Sequence, residues 1–268
     1  MKRLIIILSF LLFLANISFA QENPGAKQIA LSHSDVALGG NPFSVFNNPA
    51  GLSEIKSNVI GIYYSPSPFG LSELASGFGA LTKQTSFGIF SLGFMKYGFE
   101  LYKETKFALG YANNFAEKFL YGLVINYKNI SIKNYGSRGF VFYNAGGIAK
   151  LSDEINIGFS LENFSRTTIN DEPDQIPVVF WFGVSFNIIS DLTIFSAVQK
   201  ELNFNPSLRF GAEYFLTDFL QIRFGTSREP DTFSGGVGIS YLPLQFDYAV
   251  SSHPDLGFTH QFSFSASF

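Results

Sequence analysis

The stretch Gly257-Phe258-Thr259-His260-Gln261-Phe262-Ser263-Phe264-Ser265-Ala266-Ser267-Phe268 ends the chain. Phe258, His260, Phe262, Phe264, Ala266 and Phe268 share one face of an extended backbone. Thr259, Gln261, Ser263, Ser265 and Ser267 share the other. Strand side chains alternate between faces, so this period of two marks a β-strand with one apolar side. A helix needs apolar residues at i, i+3, i+4 and i+7, which this stretch lacks.

The same pattern recurs upstream. Leu244, Phe246, Tyr248 and Val250 alternate with Gln245, Asp247 and Ala249. Leu220, Ile222 and Phe224 alternate with Gln221 and Arg223, and Leu208, Phe210, Ala212 and Tyr214 with Arg209, Gly211 and Glu213. Ile155, Ile157, Phe159 and Leu161 alternate with Asn156, Gly158, Ser160 and Glu162. About fourteen such segments follow residue 56, near 57–65, 73–82, 85–96, 103–113, 118–130, 139–150, 154–164, 176–187, 191–200, 207–216, 219–227, 233–241, 244–251 and 257–268. Each approaches the ~9–11 residues a tilted strand needs to cross a bilayer, and the number is even.

The connections alternate in length. Short ones fall at Lys83-Gln84, 115–117, 151–153, 188–190, Thr217-Asp218 and Leu242-Pro243. Longer ones fall at 66–71, 97–102, 131–138, 165–175, 201–206, 228–232 and 252–256. Outer-membrane barrels have short periplasmic turns and longer external loops. With both termini periplasmic, the short set stays on one side throughout. The longest loop is also the most polar, with Arg166, Asn170, Asp171, Glu172 and Asp174.

Composition agrees. Phe is 33 of 268 residues, aromatics are 17% and charged residues only 15%, against about 25% charged in soluble domains. Beyond the N-terminus no apolar run approaches the ~20 residues of a membrane helix; the nearest, Pro177 to Ile189, is broken by Gly183, Ser185 and Asn187. Residues 1–20 read as a signal peptide: Lys2 and Arg3, an apolar stretch Leu4 to Ala15, and a small-x-small site Ser18-Phe19-Ala20. An apolar chain that is exported yet lacks membrane helices implies an all-β, transmembrane, antiparallel up-and-down barrel in the cell outer membrane, in contact with its lipid. The near-neutral charge argues against nucleic-acid binding. The absence of cysteine leaves stability to the closed sheet.

Residues 21–54 lack regular alternation and contain Asn48-Pro49-Ala50-Gly51. Pro lacks an N–H and Gly favours turns, so this phrase is no interior strand. Non-strand backbone at membrane depth must be buried in protein or line water. The segment is therefore expected to fold into the lumen of the 55–268 barrel as a plug, with Ile29, Leu31, Val36, Leu38, Phe43, Val45 and Phe46 as its packing surface.

Asn48–Gly51, the upstream Ser34-Asp35-Val36-Ala37-Leu38-Gly39-Gly40 and the closing Asp255–Ser263 resemble the PorV/PorQ family of the FadL-like superfamily. That resemblance implies association with type IX protein secretion, with secretion-system components and secreted proteins as partners. The alternatives are a FadL-like channel for long-chain fatty acids or other hydrophobic molecules, and a structural outer-membrane protein. The aromatic end formed by Phe262, Phe264 and Phe268 resembles the signal read by the barrel assembly machinery.

Arg209, Glu213, Gln221, Arg223, Gln245, Asp247 and Gln261 should face the lumen, as a salt-bridge network or a ligand path. Strands three to six read as less polar on both faces, for example Phe87, Ile89 and Met95 opposite Phe90, Leu92 and Phe94. Enzyme, metal and cofactor signals are lacking. His33, His253 and His260 have no ligand spacing. Gly235-Gly236-Val237-Gly238 has no helix or Lys-Ser/Thr after it. Ser251, Ser252 and His253 fall in a loop and give no nucleophile–base pair.

Overall fold

The computed structural model describes residues 23–168 and 176–268. The signal peptide read over 1–20 lies outside the described residues, as do Asn170, Asp171, Glu172 and Asp174 of the polar loop. Among the described residues there are fourteen strands. They are β1 (Val59–Ser65), β2 (Ser76–Thr85), β3 (Gly88–Gly98), β4 (Tyr102–Phe115), β5 (Phe119–Ile132), β6 (Gly136–Lys150) and β7 (Ile155–Glu162). β8 (Val179–Ile189), β9 (Leu192–Glu201), β10 (Ser207–Thr217), β11 (Leu220–Arg228), β12 (Thr232–Tyr241), β13 (Leu244–His253) and β14 (Gly257–Ser267) complete them.

Each strand pairs antiparallel with the next, and β14 returns to β1 through pairs such as Tyr63 with Ser263. Closure leaves no edge, so every ladder group is satisfied within the sheet, as hydrocarbon surroundings demand. Ile62 (57% exposed), Phe107 (55%) and Phe224 (65%) exemplify the outward apolar face. The opposite faces are buried: polar or small as at Gln221, Arg223, Gln261 and Ala249, and aromatic or apolar as at Tyr63, Phe78 and Met95. On β14 the Phe face points out, and Thr259, Gln261 and Ser263 point in. No helix among the described residues is long and apolar enough to cross a membrane, and the apolar run before Ile189 is β8.

The short connections hold at one end, except that Lys83 and Gln84 pair with Phe90 and Ile89 within β2–β3, so the first turn falls at residues 86–87. At the other end several expected loops shrink. The β3–β4, β5–β6, β11–β12 and β13–β14 connections are residues 99–101, 133–135, 229–231 and 254–256. For the first two, the reason is that β4, β5 and β6 continue as polar strands past the apolar belt: Lys103 pairs with Ser131, and Ser131 with Ser137. A ladder needs only backbone partners, so the hydrophobic alternation that located the strands stops before the hydrogen bonding does. Two residue placements also change. Phe87 lies in the β2–β3 turn, accepting from Tyr111 Oη at its carbonyl, and does not face the lumen. Ser251, Ser252 and His253 are the last residues of β13, not a loop.

Ahead of β1 the chain forms a short helix, α1 (Ala26–Ala30), and two 3₁₀ turns, Pro42–Val45 and Pro49–Glu54. Ala26, Leu31, Phe43, Phe46 and Leu52 of this segment are buried. Their partners are the inward faces of the strands. α1 lies on β12 and β13, and Ala26 N donates to Ser263 Oγ at 2.7 Å.

Candidate functional site

The segment's seat is a belt of small residues. Glycines face inward on most strands, and at many of them an added Cβ would meet the segment. At Gly61 it would lie 2.8 Å from Pro42, at Gly93 2.6 Å from Phe46, and at Gly122 2.5 Å from the Pro49 carbonyl. At Gly158 it would meet Val36 O at 2.5 Å, at Gly225 the Leu31 carbonyl carbon at 2.5 Å, and at Gly236 Ala30 Cβ at 2.6 Å. The belt is continuous laterally where strand register aligns it: Gly61 with Ala80, Ala80 with Gly93, Gly93 with Ala108. A strand glycine costs about 0.5–1 kcal/mol relative to Ala. Here the cost is offset because the missing side chains leave room for a chain lying across the lumen. Sequence reading missed this belt, since glycines on different strands share no local motif.

Asn48, Pro49, Ala50 and Gly51 sit where β5 and β6 present Gly122 and Gly146 as direct partners. Asn48 is the N-cap of the 3₁₀ turn: its Oδ1 accepts from Ala50 N at 3.2 Å, and its Nδ2 donates to Val36 O at 2.7 Å. Pro49 takes the first turn position, where no backbone donor is required. Gly51 packs so closely that a Cβ would lie 2.9 Å from Ser44 Oγ and 3.1 Å from Leu38 O.

The polar residues assigned to the lumen divide into separate groups. Glu213, Arg223, Asp247, Gln245 and Gln221 come together toward the short turns. Glu213 and Arg223 are cross-strand partners, with Arg223 Nε donating to Glu213 Oε2 at 2.5 Å. Arg223 Nη1 reaches over β12 to Asp247 Oδ1 at 2.6 Å. It can do so because Gly238 is bare: a Cβ there would lie 2.6 Å from Nη2. The glycine run that resembled no phosphate loop is thus the gap beneath a guanidinium. Gln245 Nε2 donates to Asp247 Oδ2 at 3.0 Å, and Ser240 Oγ to Gln221 Oε1 at 3.4 Å. Lys27 of α1, not foreseen from sequence, ties the segment to this group through Glu213 at 2.9 Å. Arg223 is 1% exposed and its two carboxylate partners are nearly as buried, with Lys27 completing a group of two cations and two carboxylates.

Arg209 and Gln261 stand apart. Arg209 donates to Ser32 O at 3.0 Å and lies 5.1 Å from the Trp181 ring centroid. Gln261 meets Ser251 at 3.1 Å. A second buried ion pair, Glu104–Lys128 at 2.9 Å, lies toward the other end, beside Lys106, whose Nζ sits 5.4 Å over the Phe46 ring. Within the segment, burial pushes Asp35 up to about 6, with Lys27 opposing. Burial and the Arg209 charge push His33 down to about 3. Phe262 and Phe264 face outward on β14, and Phe268 N donates to Asn58 O at 2.9 Å beside the seam. His260 faces outward, with Tyr248 Oη 2.7 Å from its Nδ1. Among the described residues no three His, Cys, Asp or Glu side chains converge as a metal group.

No sequence-family model matches the chain, and no curated protein matches it. Solved structures do. The Ralstonia pickettii toluene transporter TbuX covers 93% of this chain and 100% of its own, at TM-score 0.69 and 12% identity. The Pseudomonas putida toluene transporter TodX covers 92% and 97%, at 0.65 and 11%. A Pseudomonas aeruginosa FadL homologue covers 91% and 98%, at 0.64 and 12%. The fold is that of the FadL-type outer-membrane barrels. At such identities the likeness is one of fold, extending over nearly the whole of both chains. In this barrel the N-terminal segment lies across the lumen at the glycine belt. The Arg223 group lies toward the short turns, and the Glu104–Lys128 pair toward the opposite end.

Proposed function

We propose that this protein is a non-enzymatic outer-membrane channel for small hydrophobic molecules, with residues 23–55 as its plug. One observation carries the reading: a buried apolar segment docked across the lumen of a lipid-facing barrel. The fold it shares with toluene transporters supports the same direction. A porin passing ions would need a polar, water-filled bore, whereas Phe43, Phe46, Tyr63 and Phe78 pack ring against ring at this level, 5.2–6.4 Å between centroids. The secretion-linked reading rests on the PorV/PorQ-like phrases alone, and the neighbouring structures favour the channel.

Uptake tests it. Proteoliposomes carrying the folded protein should admit labelled toluene or a long-chain fatty acid faster than protein-free ones, while remaining closed to glucose. Equal hydrophobe entry with and without protein would refute the channel.

A further inference from the structure

The lipid-facing wall is not evenly covered by side chains. On β2 the outward positions 77 and 79 are glycines. Both are open: an added Cβ would meet nothing nearer than Tyr64 Cδ2 at 3.8 Å from Gly77, or Gly61 O at 4.0 Å from Gly79. Register sets Gly79 between Ile62 and Phe94, and Gly77 between Tyr64 and Lys96, all four exposed. The two bare positions thus floor a slot walled by β1 and β3 side chains. Gly79 lies in an apolar groove of about 600 Å³ on the outer face, lined also by Ile62, Leu81, Phe94 and Phe107; Gly77 continues it toward Lys96. Leu81, the next outward residue of β2, closes the end toward the short turns. From Leu81 to Gly77 is roughly 13 Å at the strand rise. That approaches half of the ~30 Å hydrocarbon core, the depth of one leaflet.

The open end is cationic. Lys96 and Lys103 are outward and exposed. Lys96 is opposite Thr105 and Lys103 opposite Gly98, so the lysines are diagonal neighbours, about 7–8 Å apart. Thr105 is in turn opposite Asn129. The nearby carboxylates are engaged: Glu104 with Lys128, Glu100 with Lys133, and Glu73 with the Ser72 hydroxyl.

We propose that this slot holds one phosphate-bearing lipid of the outer leaflet, of the lipid A class. One acyl chain lies over Gly79 and Gly77. The phosphate sits on the ammonium groups of Lys96 and Lys103, with Thr105 and Asn129 beside it. Lysine binds phosphate as a point charge, and the slot opens at the end opposite the short turns, which faces the outer leaflet in such barrels. A zwitterionic lipid would fill the slot but bring a cation of its own to the lysines. A second copy docked here about a two-fold axis would set like charges face to face. The site needs the barrel but not the channel.

Native mass spectrometry tests it. Full-length protein, folded in detergent and checked by heat-modifiable gel migration, is titrated with bisphosphorylated lipid A, with dephosphorylated lipid A and with phosphatidylethanolamine. One lipid A per chain should be retained, in preference to the other two. At about fivefold per lysine, K96Q/K103Q should weaken lipid A roughly 30-fold, and this variant should no longer distinguish the phosphorylated from the dephosphorylated form. G79L, which fills the slot and leaves the lysines, should weaken both forms alike. R228Q, which removes an exposed cation of β11, should bind like the native chain. If K96Q/K103Q loses no more than R228Q, or if G79L retains lipid A as the native chain does, the slot is not the site and the proposal fails. A lipid-free dimer abolished by G79L would give the face to a second copy and overturn it equally.

Discussion

Gly122→Ala is the sharpest probe of how the segment is seated. A Cβ at residue 122 would lie 2.5 Å from both C and O of Pro49 and 2.8 Å from Ala50 N. These are backbone atoms, so no rotamer change relieves the contact. Ordinary contact needs about 3.5 Å, so the Pro49–Ala50 turn must withdraw by about 1 Å. Overpacking of that kind costs about 1–3 kcal/mol. At about 1.4 kcal/mol per decade, the undocked population should rise roughly 5- to 150-fold. The barrel itself should feel the opposite sign, because Ala in a strand is favoured over Gly by about 0.5–1 kcal/mol. Limited proteolysis of the detergent-folded protein, with fragments read by mass, measures exposure of residues 23–55. Gel migration before and after heating reports the barrel. Gly79→Ala is the control, since its added Cβ has nothing nearer than Gly61 O at 4.0 Å. The expected result is faster cleavage within 23–55 for G122A only, with the barrel intact. If G122A is cleaved at the native rate, the belt does not seat the segment and the reasoning is wrong.

Arg223→Met leaves Glu213 and Asp247 buried with Lys27 as the remaining cation of the group, which should destabilise the folded barrel by about 3–5 kcal/mol. Adding D247N should recover part of that loss in a urea titration. Asn48→Ala removes the N-cap acceptor and the donation to Val36 O, so segment protection from protease should fall by about 0.5–2 kcal/mol without change in barrel unfolding. Deleting Phe268 should lower the amount of heat-modifiable protein recovered from outer membranes while leaving refolding in detergent intact. Loss of both would make Phe268 a stability residue and not a targeting one.

The alternation in Phe258–Phe268 and its thirteen relatives carried the strand number, the sidedness and the barrel class, because lipid outside and a packed lumen inside impose opposite chemistry on successive residues. The connection phase was legible for the same reason, but loop lengths were not. Past the apolar belt, both faces of β4–β6 meet polar surroundings, and pairing there leaves no hydrophobic trace. The phrase Asn48–Gly51 could be read as non-strand from local stereochemistry.

Where that phrase docks depended on Gly122 and Gly146, which lie far along the chain and become neighbours through register alone. The lumenal charges show the same division. Alternation sent Glu213, Arg223 and Asp247 inward together with Arg209 and Gln261. Only the closed sheet decided which of them meet, by setting bare Gly238 between Arg223 and Asp247 and by bringing Lys27 to Glu213. Period two is a property of a single strand, so the sequence alone determined in from out. Contact around a barrel is a property of fourteen strands in register, so the tertiary structure alone determined the seat of the segment and its charge anchor.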